Sequence, residues 1–73
     1  MEARENVRKA ICWIIENREG GNASAFARRI GMSRQVVSNW VNGHRSPDIE
    51  TVADICRLYD VSINWMILGE DDD

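Results

Sequence analysis

Between Gly20 and Pro47 the chain carries Arg28, Arg29, Arg34 and Arg45 and not one Asp or Glu. Within that window Arg34, Gln35 and Asn39 share one polar face at helical spacing, and a polar loop follows, Asn42-Gly43-His44-Arg45. Guanidinium and carboxamide groups in a field free of carboxylates suit hydrogen bonding to an anionic partner. The bland alternative for the charges alone is a solvated scatter of arginines. Catalytic chemistry is poorly served. There is no His-Asp-Ser arrangement, no glycine-rich phosphate loop and no carboxylate pair inside an apolar stripe, and His44 is the single histidine. The chain therefore reads as a non-enzyme.

Cys12 and Cys56 fall within apolar helical patterns, where they are most simply small core hydrophobes. A metal site needs more ligands at short spacing, so neither a metal nor a cofactor is expected.

The net charge of −3 argues at face value against a polyanionic partner, but its distribution reverses that. Residues 20–47 hold +4 and the remainder −7, of which Glu70, Asp71, Asp72 and Asp73 supply −4. A phosphate backbone responds to the local field, screened over about 8 Å at physiological salt, rather than to the molecular sum.

These groups must be held by a small scaffold. Seventy-three residues, 44% of them hydrophobic, suit one globular domain. It is expected over residues 1–69, with 70–73 as an acidic tail or the start of a linker. No apolar run approaches the roughly 18 residues that span a bilayer. The charged N-terminus, MEARENVRKA, is unlike a secretory signal. A cytoplasmic protein without a membrane partner is expected.

Periodicity predicts an all-α chain of five helices and no strand. Ala3, Val7, Ala10, Ile11, Ile14 and Ile15 line the first, which Gly20-Gly21 stops. Asn22 caps a second with Ala23, Phe26, Ala27 and Ile30 inward, and Gly31 ends it in the left-handed conformation. Ser33 caps a third, to about Asn42, with Val37, Trp40 and Val41 as its buried stripe. Asp48 caps a fourth with Ile49, Val52, Ile55, Cys56 and Tyr59 apolar. Ser62 caps a short fifth, closed by Gly69.

Helices two and three are joined so briefly that the third must cross the second at a steep angle. Ala27 supplies the small side chain a crossing needs, Gly31 the unusual backbone, and Val37 and Trp40 the wedge between them. A generic helical corner is the plainer alternative.

The stretch Ser24–Gly43, SAFARRIGMSRQVVSNWVNG, resembles the helix-turn-helix of the lambda-repressor-like (Cro/CI, XRE) family of bacterial and phage transcription regulators. Gly43-His44-Arg45-Ser46-Pro47 matches that family's Gly-x-x-x-Pro loop, Tyr59–Met66 its approach to the fifth helix, and Gly69-Glu70 its usual end. The likeness covers roughly residues 4–70. It implies a compact five-helix bundle and a sequence-specific regulator of double-stranded DNA, with a repressor occupying an operator as the leading form.

The family lays the front of its third helix in the major groove, which implies Arg34, Gln35, Ser38 and Asn39 as base readers. Arginine can pair with guanine through two bonds, and Gln or Asn with adenine. The resemblance also implies phosphate contacts from Ser33 with the first-turn amides, and from Asn42, the Gly43 amide, His44 and Arg45. Many relatives carry glutamine where this chain has Ala23, so that contact is not carried over.

Arg28 and Arg29 either steer the domain or are merely solvated. For Trp65, with Met66, two readings stay open: contacts of a homodimer, or closure of the bundle over the first helix. Dimerisation through a further C-terminal domain is a third route. The alternative function is an antitoxin or other protein-interaction module, which would more naturally show an apolar patch in place of the polar face of helix three.

Overall fold

The computed structural model describes residues 2–69; the expected acidic tail at 70–73 lies outside the described residues. Five helices follow one another: α1 (Ala3–Arg18), α2 (Ala23–Ile30), α3 (Arg34–Val41), α4 (Ile49–Tyr59) and α5 (Ile63–Leu68), with no strand among the described residues. Each of the last four starts on a side-chain cap. Asn22, Ser33, Asp48 and Ser62 accept a hydrogen bond from the backbone N–H three residues on, satisfying a donor that helix geometry leaves orphaned. Gly31 ends α2 at φ 74°, as its position after the last apolar residue predicts.

The apolar stripes converge on one core. Ile11, Ile14, Phe26, Val37, Ile55 and Met66 are fully enclosed, one or more from each helix. Tyr59 stacks on Phe26 with ring centroids 5.5 Å apart, tying the end of α4 to α2. Ala27, 3% exposed, belongs to the same buried cluster as Val37 and Trp40 of α3.

Two expectations about burial change. Ile49, placed in the apolar stripe of α4, is 62% exposed, because the first residue after the Asp48 cap precedes the turn that meets the core; Thr51 and Val52 are buried in its stead. Met66 is fully buried, which removes it as a dimer contact. The α5 helix closes over α1: Trp65 meets Trp13 edge-on at 5.4 Å, and the Asn6 carboxamide donates to the Ile67 carbonyl at 2.9 Å. Among the described residues no helix is long and apolar enough to cross a membrane. Neither cysteine is in a disulfide, and both are half-buried.

Candidate nucleic-acid interface

The front of α3 is built by its cap. Ser33, extended at φ −77° and ψ 156°, turns its hydroxyl back to accept from the Val36 N–H at 3.2 Å. First-turn geometry leaves the amides of Arg34 and Gln35 without an intrahelical acceptor, so the partial positive end of an eight-residue helix faces outward there. Val37 and Trp40 anchor the opposite face in the core.

On the outer face Arg34 and Gln35 are exposed, and Ser38 and Asn39 half-buried. The structure brings the four expected base readers onto one surface and adds an order within it. Gln35 Nε2 donates to Asn39 Oδ1 at 3.3 Å, and Asn42 Nδ2 donates to Ser38 Oγ at 3.3 Å.

The loop after α3 is closed by backbone bonds. Gly43, at φ 80°, gives its N–H to the Trp40 carbonyl at 3.2 Å. The His44 and Arg45 N–H groups both reach the Asn39 carbonyl, at 2.9 and 3.2 Å. The Gly43 amide, expected as an anion donor, is therefore spent inside the fold. The exposed side chains of Asn42, His44 and Arg45 are what the loop offers a phosphate. Beside the loop runs a groove between it and the start of α1, lined by Arg4, Glu5, Arg8, Trp40 and Arg45 among others. Glu5 there is paired to Arg8, which also draws its carboxyl below the usual carboxylate range.

The two arginines of α2 are both exposed but part company in their contacts. Arg29 Nε donates to Glu19 Oε2 at 2.7 Å and its guanidinium lies 5.6 Å from the Tyr59 ring centroid. The Tyr59 hydroxyl donates to the same carboxylate oxygen at 2.6 Å, and Arg18 donates to the Tyr59 carbonyl at 2.9 Å. The Tyr59 bond, then Arg29, hold the Glu19 carboxyl below its ordinary value, while burial pushes the phenol up. This knot joins the end of α1 to α2 and α4. Sequence reasoning missed it, since Glu19 and Tyr59 are forty positions apart and no local spacing links them.

Among the described residues no cluster of three or more His, Cys, Asp or Glu side chains is placed to hold a metal ion. A comparison with known families adds one finding: the helix-turn-helix family model matches residues 14–66, taking in all of α2, α3 and α4. No curated protein and no solved structure matches the chain.

Proposed function

The chain belongs to the Cro/CI-type helix-turn-helix (XRE) family of DNA-binding regulators, and from that premise we propose that it is a sequence-specific repressor that occupies an operator. In this reading the domain of residues 1–69 lays the front of α3 in the major groove. The face formed by Arg34, Gln35, Ser38 and Asn39 is turned to the base edges. The Ser33 end of the helix and the side chains of Asn42, His44 and Arg45 hold phosphates. The observation that carries it is the outer face of α3: solvent-accessible, hydrogen-bonding, backed by the buried Val37 and Trp40, and free of carboxylates. A protein-interaction module of the same fold, such as an antitoxin, would be better served by an apolar surface there.

Two copies on two half-sites would meet through the flank of α5. There Ile63 and Leu68 are exposed, and Trp13 beside Trp65 is 47% exposed. Met66 has no part in such a contact.

Selection of bound sequences from a random pool of double-stranded DNA, followed by affinity measurements across salt, tests the proposal. A preferred sequence is expected, its affinity falling with salt by a log–log slope of about −0.9 for each phosphate neutralised. Arg34→Ala should relax one base position, by about 1–3 kcal/mol of discrimination. Arg45→Ala should weaken all sequences alike and reduce the slope by about 1. Two-fold symmetry in the selected sites would report the dimer on DNA. Binding without sequence preference would sink the proposal.

A further inference from the structure

We infer that Asn39 acts as the positioning residue for Gln35, fixing which end of the Gln35 carboxamide faces the DNA, and is not itself an independent base reader. The inference rests on the reading above, in which the outer face of α3 meets base edges. It assigns different work to two residues of that face.

Adenine is recognised by a carboxamide only when its oxygen and one N–H point outward together and lie in the plane of the base. An exposed glutamine has many rotamers to lose and an amide that can present either end. Gln35 Nε2 donates one hydrogen to Asn39 Oδ1 at 3.3 Å, and among the described residues this is the one side-chain hydrogen bond Gln35 makes. That contact directs the amide sense: one N–H is turned along the helix towards Asn39, leaving the second N–H and Oε1 for a partner.

Asn39 suits the supporting role. It is half-buried where Gln35 is exposed, and its side chain is one carbon shorter. It also sits four residues further along the helix, about 6 Å behind the front. Its oxygen is engaged by Gln35, and its backbone carbonyl accepts the N–H groups of both His44 and Arg45. One residue thus ties the Gln35 amide on one side to the Arg45 loop on the other. Residues 38 and 42 repeat the i,i+4 spacing with the donor reversed, Asn42 donating back to Ser38, so the outer face carries two side-chain pairs.

The experiment compares the intact chain with Gln35→Ala, Asn39→Ala, Asn39→Asp and the double alanine variant, each first shown to be folded. The readout is affinity for the selected site and its single-base variants. Asn39→Ala is expected to lower preference roughly 3- to 10-fold at the same base pair that Gln35→Ala relaxes. It should add nothing once Gln35 is alanine. Asn39→Asp keeps the acceptor, so preference at that base pair should return although the added charge weakens all binding. Loss of preference at a different base pair, or an equal loss with and without Gln35, would overturn the assignment.

A second arm needs no DNA. Side-chain amide relaxation of Gln35 by NMR should show greater mobility in Asn39→Ala than in the parent chain. Equal mobility would overturn the brace. If the parent chain selected no sequence, the DNA reading would fall, and this arm alone would still decide whether Asn39 holds Gln35.

Discussion

Gly31→Ala isolates the backbone requirement of the α2–α3 turn, because a β-carbon there would meet no heavy atom within 4 Å. The whole effect must then come from holding an L-residue at φ 74° and ψ 28°. A left-handed residue with a β-carbon costs about 1–2 kcal/mol. Against this, alanine reduces the freedom of the unfolded chain, which returns about 0.4–1 kcal/mol. The net loss should be at most about 1.6 kcal/mol, against the roughly 4–11 kcal/mol typical of a 73-residue domain. In a domain of this size that lowers Tm by up to about 10 °C. Urea unfolding should show a lower midpoint with an unchanged m-value. Gly31→Asn should cost less, as asparagine tolerates this region, and the chain already holds Asp60 at φ 55°. DNA affinity of the folded protein should stay within about two-fold of the parent. A loss above about 3 kcal/mol, or a loss of affinity without a loss of stability, would mean that Gly31 makes a close approach, and the strain argument would fail.

Phe26→Ala empties a fully enclosed site stacked on Tyr59 and should cost about 3–5 kcal/mol, enough to leave the chain partly unfolded by circular dichroism at 37 °C. Ser33→Ala removes the acceptor for the Val36 N–H and should cost about 1 kcal/mol in urea unfolding; no change would mean that water replaces the cap. Glu19 has a folded-state pKa below the ordinary glutamate value, chiefly through the Tyr59 bond, so its contribution is present above that ordinary value and is lost as pH falls through the depressed one. Glu19→Gln should flatten the acid side of the stability–pH profile, measured by urea titrations between about pH 3 and 6. Part of the slope should remain, because Asp48 is also held low by its bond to the Thr51 amide.

Much of the fold was legible because its determinants are local. Asn22, Ser33, Asp48 and Ser62 announce helix starts by side-chain type, and all four cap as their positions predict. Gly31 announces the turn, and the 3.6-residue period picks out Ile11, Ile14, Phe26, Val37 and Ile55 as core. What escaped depends on pairs distant in sequence or on geometry within one turn. Ile49 fits the apolar period of α4, but the angle at which α4 enters decides which of its first-turn residues meets the core. The Gly43 amide looks like an anion donor until the carbonyl of Trp40 is seen to accept it. The i,i+4 spacing of Gln35 and Asn39 was visible, yet the direction of the bond between them belongs to side-chain torsions.

The acid-free window is a property of the linear chain, and folding redistributes it. Glu19, just before the window, lies against Arg29 and ties that charge into the knot with Tyr59. The α2 end of the window is thereby partly neutralised. The α3 end is treated differently. The groove beside Arg45 contains Glu5, but Arg8 of the same helix pairs with that carboxylate. Arg34 and Arg45 therefore remain as exposed cations, one in the first turn of α3 and the other in the loop after it. A cation already matched by a neighbouring carboxylate adds little net charge against DNA, even with its side chain 55% exposed as in Arg29, so the salt slope should follow Arg34 and Arg45 and ignore Arg29. Arg29→Gln should leave that slope unchanged while lowering Tm. A shallower slope for Arg29→Gln would place α2 against the phosphates and overturn this partition.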